Sequence, residues 1–418
     1  MNNLITQELK EMAKKARDAF AYLSIIGSEE KNIALKNIVD SLKQNREAIL
    51  QANHLDVTKM KECGEKEALI ERLALDSNKF ESICIGILDI IKLNDPVYEV
   101  FDVIKRPNGL QIAKMYVPFG VIAMIYESRP NVTVDAAVMA LKTSNVVILK
   151  GGKEAINTNL ELVRAMREGL KKSGFPEDCI LFVNRIEREY ATQLMKLKGD
   201  IDLLIPRGGA GLIRSVVENA TVPVIETGTG NCHLYVDARA KIENALDIAY
   251  NAKVQRPGAC NAIETILVHR DIAKEFLSKL KDRFYNRVHI KGDNGVKQIL
   301  PSVEIATEED FQKEFLDFIV AVKIVDSIDE AITHINLYGT KHSEIIVTED
   351  YSNIIKFQKQ VDAAVVYVNA SSRFSDGGEF GFGAEIGIST QKFHARGPMG
   401  LKEIMTYKYV VIGEGQIR

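Results

Sequence analysis

No uncharged apolar stretch in the 418 residues is long enough to cross a bilayer. The opening "MNNLITQELKEMAKKARDAF" alternates charged and apolar residues at helical spacing, without the continuous apolar core of a secretory signal. Cysteine is scarce: five residues, at 63, 84, 179, 232 and 260, odd in number and forming no C-x-x-C pair. That excludes a disulfide framework and a zinc knuckle, and fits a reducing compartment. Charge of one sign is lacking too, since 54 Lys+Arg against 57 Asp+Glu leave a net charge of -3, so no broad basic field draws the chain to nucleic acid. These absences predict a cytoplasmic protein with no metal and with neither nucleic acid nor membrane as partner. Motifs of several enzyme classes are also missing: G-x-x-x-x-G-K-[ST], H-E-x-x-H, G-x-S-x-G and a complete G-x-G-x-x-G.

What is present is an ordinary globular balance, 46% hydrophobic and 27% charged, with length for two or three domains. Residues 4–92 read as helices; in "SEEKNIALKNIVDSLKQNREAIL" Ser28 can serve as a cap, and Ile33, Leu35, Ile38, Val39, Leu42 and Ile49 form one apolar stripe. "RPNGL" is a hairpin-type turn between two strand-like runs. Short β-branched runs then alternate with helical stretches: 120–125, 145–150, 179–183, 202–205 and 223–226, and after them 233–236, 264–269, 318–325, 344–347 and 363–368. Strand–helix alternation predicts parallel sheets covered on both faces, with ligands collecting at the carboxyl ends of the strands.

Five loops at strand ends carry chemistry. "NVVILKGGKEA" puts Lys150 before two glycines and a helix start, where it can meet a phosphate or ribose, or simply cap a sheet edge. "LLIPRGGAGLIRSV" repeats the design with Arg207, Gly208 and Gly209. "PVIETGTGNCHLYV" sets Glu226 ahead of Gly228 and Gly230, as a base, a ligand contact or a helix cap. In "MIYESRPNVTVDAA", Pro130 holds Arg129 extended, aimed at an anion or paired with Glu127. "VQRPGACNAIETILV" places Cys260 on a Gly-Ala turn, where it is either a packed small hydrophobe or a presented nucleophile.

In this order the loops resemble those of the aldehyde dehydrogenase superfamily, over almost the whole chain. "YESRPNVTVDAA", "VIETGTGNCHLYVD", "QRPGACNAIETILVH" and "GFGAEIGISTQKFHARGPMGL" resemble its γ-glutamyl phosphate reductase branch. The resemblance implies an α/β fold of two doubly wound domains plus a small β oligomerisation arm. Residues 1–98 and 118–226 would form the cofactor domain, 227–395 the catalytic domain, and 99–117 with 396–418 the arm. It implies reduction of γ-glutamyl phosphate to glutamate-5-semialdehyde, in proline biosynthesis, through a thioester on Cys260 with NADPH as reductant. Arg129 and Asn131 are then candidate oxyanion donors; Lys150, Gly208, Gly209, Glu226 and Glu314 candidate cofactor contacts; Ser371, Ser372, Arg373 and Arg396 candidate substrate contacts. A homo-oligomer and a separate glutamate kinase are the implied partners. The water-activating glutamate of oxidising relatives matches Glu226, so a hydrolytic aldehyde dehydrogenase is the competing expectation, and a catalytically silent binding protein the third.

Overall fold

The structure is a computed structural model that describes residues 2–65 and 67–418. The chain forms two compact units, one of residues 1–227, 381–387 and 399–418, the other of 228–380 and 388–398. The strands expected as a separate arm thus belong to the first unit.

In the first unit, helices Asn2–Leu23, Ser28–Gln44, Arg46–Glu62 and Ser77–Lys92 precede the sheets. Two details differ from expectation. Gly27, not Ser28, is the N-cap of the second helix, and no side chain caps it. The apolar stripe is also broken: Ile33 is exposed, and the helix ends before Asn45, so Ile49 belongs to the next one. Strands β1 (Val100–Lys105) and β2 (Gln111–Pro118) pair antiparallel across the "RPNG" turn, where Gly109 takes φ +91. Next come β3 (Val121–Tyr126), β4 (Val146–Lys150), β5 (Ile180–Phe182) and β6 (Leu203–Arg207), a parallel sheet ordered β5-β4-β3-β6. The run at 223–226 contributes only an isolated bridge from Val224 to Leu204, because Pro223 lacks the N–H that a ladder needs.

Helix Ile156–Lys172 crosses Ser28–Gln44 closely at Gly169: a Cβ there would lie 2.6 Å from Ile38 Cα and 2.8 Å from the Asn37 carbonyl oxygen. Backbone cannot swing aside as a side chain does. Gly169→Ala is therefore expected to cost about 1–3 kcal/mol by forcing the helices apart, read as a lowered urea midpoint with unchanged slope.

The second unit is built on seven parallel strands: β7 (Cys232–Val236), β8 (Ile263–His269), β9 (His289–Gly292), β10 (Glu304–Ile305), β11 (Ile319–Val325), β12 (Ser343–Val347) and β13 (Val365–Val368). Their order is β10-β9-β11-β8-β7-β12-β13. Alternate residues feed opposite cores, as the two-residue period requires. Leu234, Ile266 and Ile345 pack with Phe276 and Phe284, whereas Tyr235, Leu267 and Ile346 pack with Ile335 and Phe357 on the other face. β9 and β10 have no counterpart among the expected strands; both are short, β10 is the edge strand with β9 next to it, and they hold too few apolar residues to signal themselves. A small antiparallel pair, β14 (Ile388–Ser389) with β15 (Gly397–Pro398), follows, and β16 (Met405–Ile412) returns to pair with β2.

Among the described residues, no helix is long and apolar enough to cross a membrane, and no group of three or more His, Cys, Asp or Glu could hold a metal ion.

Candidate active site

In the first unit three loops leave the carboxyl ends of neighbouring parallel strands: residues 127–131 after β3, 151–153 after β4 and 208–209 after β6. Two carboxylates stitch them together. Glu154 Oε1 accepts the Ser128 N–H at 2.7 Å and its hydroxyl at 2.6 Å. Glu127 Oε2 accepts the Gly209 N–H at 2.8 Å. A Cβ on Gly208 would approach that oxygen to 2.6 Å, so any side chain there would push the Glu127 carboxylate aside.

Lys150 is buried at the end of β4, and its Nζ donates to the Gly151 carbonyl at 3.0 Å. Burial pulls its pKa below the ordinary lysine value, against the opposing pull of Glu154 and Glu187. Arg207 Nε and Asn159 Nδ2 are buried donors with no hydrogen-bond partner among the described residues. Arg129 has φ -139 and ψ 89, extended as Pro130 demands, and caps helix Pro130–Lys142. Asn131 Nδ2 donates to Asp135 Oδ2 at 3.1 Å. The Asp135 carboxyl is pushed up to about 6 by burial, with the Asn131 hydrogen bond and the Arg207 charge opposing. Glu226 is half-buried on the irregular segment after Val224.

In the second unit the cysteine loop lies at the amino end of β8, not at a carboxyl end, and Gly230 precedes β7 at the same edge. Cys260 is partly exposed, unlike the buried Cys232. Its carbonyl oxygen accepts the Cys232 thiol at 3.3 Å, and a Cβ on Gly230 would overlap that same oxygen. Burial drives the Cys232 thiol pKa well up, so this sulfur stays a neutral donor.

Segment 369–375 cradles the loop from below. Ser372 Oγ donates to the Asn261 carbonyl at 2.5 Å, and Asn261 Nδ2 donates to the Ser375 carbonyl at 2.9 Å. Arg373 Nε donates to Gln255 Oε1 at 2.9 Å, at the loop's start, and Ser371 Oγ caps the short turn Ser372–Phe374. Glu314 Oε1 accepts the Gly230 N–H at 2.9 Å. Arg396 lies elsewhere: its guanidinium pairs with Asp362 at 2.6 Å, beside Lys341 and Lys392, and these cations hold the Asp362 carboxyl far below its usual range.

The structure thus gathers Glu127, Gly208 and Gly209 in one unit, and Cys260, Glu314, Ser372 and Arg373 with Gly230 in the other. Sequence reasoning missed Asn261, Ser375, Lys253 and Glu264 as parts of the cysteine loop's support. The legible signal was Glu264, a carboxylate inside the apolar run "AIETILV".

The sequence profile of the aldehyde dehydrogenase family matches residues 2–313. The chain belongs to the aldehyde dehydrogenase family. Within that family it is 54% identical, over 98% of this chain and 100% of the other, to a gamma-glutamyl phosphate reductase of Caldanaerobacter subterraneus subsp. tengcongensis. It is likewise 54% identical to the gamma-glutamyl phosphate reductase of a Clostridium perfringens strain, with both chains fully covered. Among solved structures, the gamma-glutamyl phosphate reductase of Thermotoga maritima superposes with a TM-score of 0.95 at 50% identity, covering 98% of this chain and 99% of that one.

Proposed function

We propose that this aldehyde dehydrogenase family member reduces γ-glutamyl phosphate to glutamate-5-semialdehyde and phosphate, with Cys260 as nucleophile and NADPH as reductant. The observation that carries the reading is the cysteine loop: a partly exposed thiol whose backbone is held on three sides, by Gly230, Cys232 and segment 369–375.

The cofactor's contacts fit the groups present. A buried lysine, a glycine turn and the unpartnered Arg207 Nε suit a polyanionic ligand. We assign Lys150, Gly208 and Gly209 to hold it, with Glu226 as a further contact. When bound, a reduced nicotinamide supplies the hydride that converts a thioester to an aldehyde. The Cys260 thiolate attacks the acyl carbon, a C–S bond forms, the bond from that carbon to the bridging phosphate oxygen breaks, and phosphate leaves with the electron pair. Negative charge develops on the former carbonyl oxygen, which the Cys260 N–H would receive. Ser371, Ser372 and Arg373 contribute to substrate binding chiefly by shaping the cysteine loop, whereas Arg396, whose guanidinium is taken up by Asp362, is left out of the substrate contacts.

Run in reverse, the reaction separates this reading from hydrolysis. Semialdehyde oxidation should require phosphate or arsenate; phosphate-independent oxidation would instead assign Glu226 as a water-activating base. Lys150→Ala is expected to raise the KM for NADPH by about tenfold, the worth of one charge-assisted contact, with a smaller change in kcat. An unaltered KM would remove Lys150 from the cofactor site.

The acyl phosphate is supplied by a separate kinase chain in the cytoplasm. Self-association uses the three-stranded sheet, whose edge strand β16 exposes Tyr409, Val411 and Ile412. Tyr409→Lys with Val411→Lys should shift the sedimentation profile towards monomer.

A further inference from the structure

Lys253 and Glu264 form an ion pair at 2.5 Å in which both side chains are wholly buried. Lys253 is the last residue but one of helix Ile242–Val254, just before the cysteine loop, and Glu264 is the second residue of β8, just after it. The pair therefore closes the base of the loop that presents Cys260. Its reach extends further. Glu264 Oε1 accepts the Leu316 N–H at 3.2 Å. Leu316 holds φ +55, a left-handed conformation costly for leucine that persists only where neighbours enforce it. Two residues earlier, Glu314 holds the Gly230 N–H, and Gly230 abuts the Cys260 carbonyl. The contacts form a ring: Cys260 loop, Glu264, Leu316, Glu314, Gly230, and back to Cys260.

We propose that Lys253 and Glu264 are positioning residues for Cys260, fixing the nucleophile's loop and the Glu314 segment in one register. The proposal rests on the reading of Cys260 as nucleophile. A packed aliphatic pair of similar volume would fill this space as well and is often as stable as a buried ion pair. What it could not do is accept the Leu316 N–H. Burial raises the Glu264 carboxyl to about 7 and lowers the Lys253 ammonium, each countered by the other's charge, so the pair is held despite its desolvation. Glu314, Asp317 and Cys232 are the other ionisable groups in electrostatic contact with it.

The test is the double variant Lys253→Met/Glu264→Leu, assayed by semialdehyde oxidation with NADP and phosphate. Thermal melting and the rate of Cys260 alkylation by iodoacetamide, located by mass spectrometry, are measured alongside. The expected result is a melting temperature close to that of the parent, kcat lowered about 10²-fold, as a displaced reacting group costs, little change in the KM for semialdehyde, and slowed alkylation of Cys260. Parental kcat and alkylation rate would overturn the proposal, leaving the pair a purely structural filler. Should the double variant not fold, Glu264→Asp decides: it keeps the lysine's counter-charge but is too short to hold Leu316 as well. Lost kcat in that folded variant supports the proposal; parental kcat and alkylation overturn it. Cys260→Ala run in parallel separates the two ideas, since activity in that variant sinks the nucleophile itself, whereas an inactive Cys260→Ala beside a fully active double variant sinks only the positioning role.

Discussion

Cys260→Ala is expected to abolish phosphate-dependent semialdehyde oxidation, by on the order of 10⁴–10⁶ in kcat, the scale on which loss of a covalent nucleophile is felt. The fold should survive. The ties from Cys232 and against Gly230 run to the Cys260 carbonyl, which alanine keeps, and Asn261 and Ser372 hold the neighbouring peptide. The variant should therefore melt with the parent and bind NADPH with the same Kd by fluorescence titration, separating chemistry from binding. Turnover within tenfold of the parent would show that the thiol is not the acceptor of the acyl group. No thioester could then form at this position, and the proposed reaction path would fail.

Gly230→Ala is expected to have the next largest effect, for a steric reason. The added methyl would overlap the Cys260 carbonyl oxygen, which is backbone and can move only with the whole loop. The same substitution strains the Glu314 contact, because that carboxylate is held by the Gly230 N–H. A shift of about 1 Å in a nucleophile's loop costs roughly 10²-fold in rate, and the overpacking should cost about 1–3 kcal/mol of stability. Gly228→Ala, two residues earlier, is the comparison. There the obstacle is the Thr390 side chain, which can turn aside, so kcat should fall far less. Equal losses at the two glycines would mean that the segment tolerates no side chain anywhere and that contact with the cysteine loop is not the cause.

The parts of the site that could be read in the sequence are those made by residues close together in the chain. Lys150 before its two glycines, Arg129 before Pro130 and Cys260 on its turn are each a local pattern with a local reason. The parts that could not be read are side chains that meet across the fold. The carboxylate on the Gly209 N–H comes from Glu127, 82 residues earlier, and the one on the Gly230 N–H from Glu314, 84 residues later. Both amides sit on turns that local pattern alone would have left open to a ligand. Arg396 illustrates the same limit: nothing near it in sequence points to Asp362, which takes up its charge.

The sequence by itself determined the α/β alternation and the parallel character of the two main sheets, since runs of β-branched residues separated by amphipathic helices have few other ways to bury their surface. It also determined which loops could carry chemistry, because glycine, proline and an isolated cysteine impose their conformations or reactivity locally. The tertiary structure decided the rest. It set the cysteine loop at the amino end of β8, against Gly230 and over segment 369–375. It also enclosed Lys253 with Glu264 at that loop's base. A charge pair so deeply buried is stable only when both partners and their remaining hydrogen bonds are delivered together, and that delivery is a property of the fold.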